Sequence, residues 1–127
     1  MKQEEKELLL KDLCARLPYK IMVKVNDTQG IMDEIDIPNE RIFVSSLNPF
    51  LYGGAKASWF TVNGDKIYPY LRPLSSMTDE EKTELFQLMG NGTDIQRIDF
   101  YLSHYFDFRC LIPMGIALEA KEGMYKI

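Results

Sequence analysis

His104 is the only histidine of the chain, and the residues around it include a carboxylate, a hydroxyl and a thiol. A histidine beside a carboxylate such as Asp107 could act as a general base. The nucleophile would then be Ser103 or Cys110, although Cys110 follows six residues later, past the predicted end of a helix. The alternative is structural: the dipole favours a histidine at a helix end, and Asp107 with Arg109 would order the next turn. We favour this alternative and expect no catalytic residue and no enzyme.

Two further patterns resemble binding sites for ions. Acidic residues surround one predicted strand connection, at Asp33, Glu34, Asp36 and Glu40. Carboxylates bind hard cations, but the spacing does not match an EF-hand loop, and the solvated face of an antiparallel strand commonly carries charge. Gly53-Gly54-Ala55-Lys56 resembles part of a phosphate loop without its complete pattern. We therefore expect no metal and no cofactor.

A β-hairpin rich in aromatic residues is a stronger binding candidate. Asn63-Gly64 lies between two alternating runs and predicts a two-residue turn, because both residues tolerate positive φ. Cross-strand pairing would place Trp59 opposite Tyr68. The side chains predicted on that face are Trp59, Lys66, Tyr68 and Tyr70. If the opposite face with Phe60 and Ile67 is core, the aromatic face could stack bases or anchor a protein. Alternatively, the aromatic face packs beneath the helices.

The loop before this hairpin is also a candidate for binding. Residues 48–56 hold a proline and two glycines, which predict irregular structure. The same loop contains three large apolar side chains, at Phe50, Leu51 and Tyr52. Apolar residues in a loop are typical of surfaces that contact a protein partner.

These candidates lie in a chain of α+β character. Alternating apolar residues predict four or five short antiparallel strands, which would form a small antiparallel sheet or an SH3-like barrel. The length of 127 residues indicates one domain. The predicted parts of this domain, 1–127, are a helix over 3–17, a β part over 19–71, a helical part over 78–115 and a strap over 116–127.

The helical part is predicted from its start signals. Thr78 with Glu81 forms a capping box, and Thr93 with Gln96 repeats the pattern. The short connection between these helices predicts that they pack as a helical hairpin. A short third helix is expected around 109–114.

The composition argues against one class of partner and indicates a cellular compartment. The net charge is −4, which argues against non-specific binding of nucleic acid, since that needs a basic surface. Cys14 and Cys110 lie in apolar patterns far apart in sequence, and we expect both to be free thiols. The acidic N-terminus does not match a signal peptide, and no apolar run is long enough to span a membrane. We therefore expect a cytoplasmic protein.

Three blocks of the sequence resemble a known family. They are KELLLKDLCARLPY (Lys6–Tyr19), PYLRPLSSMTDEEKTEL (Pro69–Leu85) and HYFDFRCLIPMGIALEAKEGMYK (His104–Lys126). They are similar to short uncharacterised proteins encoded by phages and mobile elements of gut anaerobic bacteria. The resemblance implies a phage-like accessory protein in the cytoplasm of a bacterial host, and it carries over no site residues.

Together these observations predict a non-enzymatic accessory protein that binds a host or phage protein. The alternative is binding of nucleic acid or a nucleotide through the aromatic face of residues 57–70. The aromatic residues favour that alternative, and the acidic net charge opposes it.

Overall fold

A computed structural model describes residues 2–46 and 58–125 of the protein. Within these ranges the chain forms three α-helices and one sheet of six strands, and the α+β prediction is confirmed. The helices are α1 (Gln3–Arg16), α2 (Asp79–Asn91) and α3 (Asp94–Ser103). The strands are β1 (Met22–Val25), β2 (Thr28–Asp36), β3 (Arg41–Ser46), β4 (Ser58–Thr61), β5 (Ile67–Leu71) and β6 (Leu118–Glu119).

The strand order among the described residues is β4-β3-β2-β1-β5-β6. All neighbouring strands are antiparallel except β5 and β6, which are parallel. β4 and β6 are the two edges, so the sheet is open and does not close into an SH3-like barrel. Of the two predicted arrangements, the antiparallel sheet is the observed one, extended by β6 from the C-terminal strap.

The predicted β-hairpin around Asn63-Gly64 is wrong, because β4 and β5 do not pair with each other. β4 pairs with β3 and β5 pairs with β1. The chain turns widely between them, and the Asp65 carboxylate accepts hydrogen bonds from the Thr61 backbone N–H and the Asn26 side-chain amide. Pairing with the distant strand β1 lets β5 extend the apolar inner face of the sheet, since Ile67 lies beside Val25 in this register.

The connection between β1 and β2 is tighter than composition predicts. The turn residues extend from Asn26 to Gly30 in sequence, but only Asn26 and Asp27 form the turn, and Val25 already pairs with Thr28. Gly30 lies within β2 and pairs with Ser46 of β3. A Cβ at Gly30 would lie 2.3 Å from the Ser45 carbonyl oxygen and 2.5 Å from Val44 Cγ1. Gly30 is therefore needed for close strand packing and not for the turn.

The core lies between α1, the inner face of the sheet and the segment that follows α3. Its buried members are Leu9, Leu13, Ile21, Val23, Val25, Met32, Ile42, Val44, Val62, Ile67, Leu71, Leu111, Ile116 and Ala117. Phe60 packs against this cluster. Phe60 and Ile67 thus face the core, while Tyr70 of the predicted aromatic face is also buried.

The predicted short helix at 109–114 is not formed. These residues form turns, and Cys110 adopts a positive φ of 61°. The Asp107 carboxylate accepts hydrogen bonds from the backbone N–H groups of Leu111 and Ile112 at 2.8 and 2.9 Å. These bonds satisfy the backbone groups that a helix would otherwise use, because an aspartate side chain competes locally with helical hydrogen bonding. Cys14 and Cys110 are free, as predicted.

A buried ion pair joins α1 to the segment after α3. Asp12 and Arg16 have no exposed surface, and Arg16 Nε donates to Asp12 Oδ2 at 2.6 Å. Arg109 Nε donates to the other oxygen of Asp12 at 3.2 Å. Arg16 Nη2 donates to the backbone carbonyl of Phe106 at 2.7 Å. One carboxylate therefore holds two guanidinium groups that belong to opposite ends of the chain.

Replacement of Gly30 tests the packing of β2 on β3. Gly30→Ala is expected to lower the free energy of unfolding by about 1–3 kcal/mol, the usual cost of overpacking. Gly90→Ala is the matched control, because Gly90 lies in α2 and a Cβ there would meet no other atom within 4 Å. This control should raise stability by roughly 0.5–1 kcal/mol. Urea unfolding measures both, and equal effects of the two substitutions would contradict the packing argument.

Replacement of Asp12 tests the buried ion pair. Asp12→Asn keeps the shape but leaves Arg16 charged without a buried counter-ion, so a loss of about 3–5 kcal/mol is expected in chemical unfolding. Asp36→Asn is the control, since its pair with Arg41 is in contact with water and should contribute far less. Similar losses for both variants would show that burial of the Asp12 pair has no special role.

Candidate interaction surfaces

The predicted aromatic face is divided by the strand order. Trp59 is on β4, whereas Tyr68 and Tyr70 are on β5, and three strands separate β4 from β5. Lys66 is exposed just before β5, and Tyr70 is only 4% exposed. The four side chains therefore do not form one platform. Of the other predicted binding residues, Phe50, Leu51 and Tyr52 lie outside the described residues.

Trp59 is half-buried and held by neighbours on its own side of the sheet. Its ring meets that of Phe43 edge-on, with centroids 5.2 Å apart, and the Arg41 guanidinium lies 4.2 Å from the Trp59 ring centroid. Arg41 Nε also donates to Asp36 at 2.8 Å. Such cation–π and aromatic contacts stabilise a sheet face without a ligand. Trp59 is thus part of a local packing cluster at the β4 edge.

Two of the four acidic residues near the β2–β3 connection, Asp33 and Asp36, are paired within the chain. Asp33 accepts a hydrogen bond from Ser45 Oγ, and Asp36 accepts from Asn39 and Arg41. The hydrogen bonds from Asn39 and then Arg41 lower the pKa of Asp36. Among residues 2–46 and 58–125, no group of three or more side chains is placed to hold a metal ion.

His104 ends α3 and is tied to its own helix. Its Nδ1 lies 3.0 Å from the Phe100 carbonyl oxygen and 3.2 Å from Ser103 Oγ. Its ring also packs against that of Phe100, with centroids 4.5 Å apart and the ring planes tilted by 31°. Cys110 is exposed and makes no hydrogen bond to His104 in the described part of the chain. These contacts agree with the structural interpretation of His104 at a helix end.

Arg72, directly after β5, connects the sheet to both helices of the second half. Its Nη1 and Nη2 atoms each donate to one Glu81 carboxylate oxygen at 2.8 Å, which is a bidentate pair. Nη1 also donates to the His104 carbonyl at 3.2 Å. The guanidinium lies 4.3 Å from the Phe106 ring centroid. Arg72 therefore contacts the start of α2 and the end of α3 at once.

Glu81 has a second role at the start of α2. Its carboxylate accepts from the Thr78 backbone N–H, and Thr78 Oγ1 accepts from the Glu81 backbone N–H, which is the predicted capping box. The hydrogen bonds from Arg72 lower the pKa of Glu81 from its ordinary 4.5 to about 2, against the opposing effect of burial. The Glu81 carboxylate is therefore charged at pH 7 and holds the Arg72 guanidinium in place.

A groove of about 740 Å³ lies beside this pair. Its walls are contributed by the start of α2, the end of α3 and the strap after β6, and they include Arg72, Glu84, His104, Glu119, Lys121 and Tyr125. The walls carry charges of both signs. Arg72 and Glu81 are already engaged with each other, so the groove follows from how the strap meets the helices and is not evidence for a bound molecule.

Among residues 2–46 and 58–125, the largest apolar exposure lies on the helical hairpin formed by α2 and α3. Phe86 and Met89 of α2 are 79% and 65% exposed, and Ile95 and Ile98 of α3 are 71% and 44% exposed. We call these four residues the hairpin surface. α2, all of whose residues are described, buries only Glu81. The fully buried residue of the helix is thus polar, Leu85 and Leu88 are half-buried, and two large apolar side chains remain in water.

The tip of the helical hairpin is held by Arg97. Its Nη1 donates to the carbonyls of Leu88 and Gly92 at 2.9 and 3.0 Å, and its Nη2 pairs with Asp94. A Cβ at Gly92 would lie 2.6 Å from the Leu88 carbonyl oxygen, so glycine permits this close turn. The Leu88 carbonyl also accepts from the Gly92 backbone N–H at 2.8 Å, so Arg97 adds a further donor at the end of α2. The connection between α2 and α3 is thus fixed by specific contacts.

The helical hairpin also carries the negative charge of the chain. Residues 79–103 contain six acidic and two basic side chains, so their net charge of −4 equals that of the whole chain, and the remaining residues balance. Sequence reasoning identified both helices but not their exposed side chains. The available signal was the width of the apolar set in α2, where Leu85, Phe86, Leu88 and Met89 exceed what one packed stripe needs.

No protein-family model matches the chain, and searches of curated proteins and of solved structures find no match. None of the helices within the described ranges is long and apolar enough to cross a membrane.

The pair of Arg72 and Glu81 predicts a pH-dependent stability. Because the pKa of Glu81 is lowered when the chain folds, its stabilising effect is complete above pH 4.5 and is lost as the pH falls towards 2. Glu81→Gln should therefore be less stable than the wild type at pH 7, and the difference should shrink between about pH 4.5 and 2.

Urea unfolding across that pH range measures the difference. Glu80→Gln is the matched control, because it removes the same charge one residue away from a side chain that makes no ion pair with Arg72 in the described structure. A gap between Glu81→Gln and Glu80→Gln that stays constant down to pH 2 would contradict the argument.

Proposed function

We propose that this is a non-enzymatic protein that binds another protein through the hairpin surface. The observation that carries the proposal is the exposure of Phe86, Met89, Ile95 and Ile98 on a helical hairpin whose first helix buries only Glu81. Scattered single apolar residues on a surface need no explanation. Four large ones on two adjacent helices are typical of an interaction site.

Burial of the hairpin surface can supply part of the free energy that association requires. Complete burial of a large apolar side chain contributes roughly 1.5–3 kcal/mol. Four side chains that are already partly covered supply less than four times that value, while association costs about 4–15 kcal/mol in lost freedom. The hairpin surface can thus form the centre of an interface. Polar or charged contacts around it must provide the remaining binding free energy.

The family resemblance supplies the proposed setting. A phage-like accessory protein in a bacterial cytoplasm would act on a protein of the host or of the phage. Binding of nucleic acid is less favoured, since the aromatic residues that suggested it are divided between β4 and β5 and the net charge is −4.

Paired substitutions test the proposal. Phe86→Ser with Ile95→Ser should weaken capture of a partner from a bacterial lysate by roughly tenfold or more, because large residues at an interface centre commonly cost over 1 kcal/mol each when truncated. Both residues are exposed, so folding should be retained, as circular dichroism and urea unfolding can verify. Ile37→Ser is the control, since Ile37 is 57% exposed after β2, outside the helical hairpin.

The proposal requires a protein that the wild type and Ile37→Ser retain and the double variant loses. It is rejected if all three capture the same proteins, if only nuclease-sensitive material is recovered, or if none of them captures a protein.

A further inference from the structure

Resting on the proposed function, we infer that the occupant of the hairpin surface is a basic segment of another protein that presents an apolar helical face. Two properties coincide in the helical hairpin. It carries the three most exposed large apolar side chains among the described residues, Phe86, Ile95 and Met89, and its net charge of −4 equals that of the whole chain. A partner that satisfies both must be apolar on one side and positively charged beside it.

The available charge is more one-sided than the composition suggests. Arg97 is engaged by Asp94 and by the carbonyls at the hairpin tip, and Glu81 is engaged by Arg72. The exposed charged side chains that remain on α2 and α3 are Asp79, Glu80, Lys82, Glu84 and Asp99. Helical spacing places Asp79 and Lys82 on the Phe86 side of α2 and Asp99 beside Ile95 and Ile98 on α3, whereas Glu80 and Glu84 lie on the opposite side of α2 and line the groove beside Arg72. Four of these five are acidic, so the unengaged charge of the helical hairpin is negative, with one lysine beside the apolar residues.

The negative charge of the helical hairpin favours one class of binding partner over the others. A second copy of the chain would bring another hairpin of net charge −4 against the first, and like charges across an interface oppose association. Phosphate-bearing surfaces, whether nucleic acid or anionic lipid, would meet the same repulsion. A basic protein segment instead gains steering and pairing from the unengaged acidic residues.

The arrangement of the apolar residues indicates a helix as the partner element. Phe86 and Met89 are three residues apart and lie on one side of α2, and Ile95 and Ile98 have the same spacing on α3. Two neighbouring apolar ridges match the binding mode in which an amphipathic helix inserts residues at spacings of three and four.

A synthetic peptide tests this directly. We would titrate the full chain, labelled with nitrogen-15, with an amphipathic helix built from leucine and lysine, and with its counterpart built from leucine and glutamate. The lysine peptide should shift amide resonances of residues 79–103 and bind about tenfold or more tightly than the glutamate peptide. Its affinity should also fall as salt is raised.

Charge reversal separates a specific contact from general attraction. Asp79→Lys with Asp99→Lys should weaken binding of the lysine peptide about tenfold or more. Glu4→Lys with Glu7→Lys changes the net charge equally on exposed positions of α1 and should leave the affinity within about twofold. The Phe86→Ser, Ile95→Ser variant should weaken binding as well, because the contact needs both apolar area and charge.

Several results would overturn the inference. Equal affinity for the two peptides, equal effects of the two charge reversals, or resonance shifts centred on α1 and the sheet would each reject a basic helical occupant. Sedimentation that reveals a dimer dissolved by Phe86→Ser with Ile95→Ser would assign the surface to a second copy instead. If the peptides fail while capture of a protein still depends on Phe86 and Ile95, only the basic character of the partner is rejected, and the proposed function stands.

Discussion

The arrangement of the second half of the chain depends on Arg72. This residue directly follows the buried strand β5, and its guanidinium joins Glu81 at the start of α2 to the His104 carbonyl at the end of α3. Its backbone adds hydrogen bonds with Tyr105 and Asp107, at 2.7 and 2.8 Å. A planar, permanently charged guanidinium can make all these contacts together, whereas an ammonium group cannot offer the same fixed geometry. This side chain therefore fixes the start of α2 and the end of α3 to the sheet, together with the buried Phe100 and Leu102 of α3.

A second arginine reinforces the same segment from the other side. Arg16 of α1 donates to the Phe106 carbonyl, while Arg72 lies over the Phe106 ring. The chain between α3 and β6 is therefore held by buried polar contacts from the first helix and from the central sheet. α2 has Glu81 as its one fully buried residue and Leu85 and Leu88 half-buried, so its large side chains Phe86 and Met89 remain available to another molecule. This division between polar anchoring and apolar exposure is the physical basis of the proposed binding role.

Several features were predictable because they depend on neighbours in sequence. The capping boxes at Thr78 and Thr93 require only a residue three positions later, and both are formed. Alternating apolar residues predicted short antiparallel strands, and such strands are formed, but the period of two left open whether the aromatic face was exposed or packed beneath the helices. The prediction of a β-hairpin at Asn63-Gly64 was wrong, because a turn signal identifies where a chain can reverse and not which strands pair with each other. The helix expected at 109–114 failed because the Asp107 side chain takes the backbone N–H groups of Leu111 and Ile112.

By itself, the sequence determined the kinds of elements, the helix starts, the free thiols and the concentration of negative charge on residues 79–103. Only the tertiary structure decided which strands pair, why Gly30 must lack a side chain, and which apolar residues stay exposed. The physical reason is that propensity, capping and charge act within a few residues along the chain. Burial depends on what packs against a side chain. Phe86 and Leu9 are both large apolar residues of helices, yet Leu9 is buried and Phe86 is exposed.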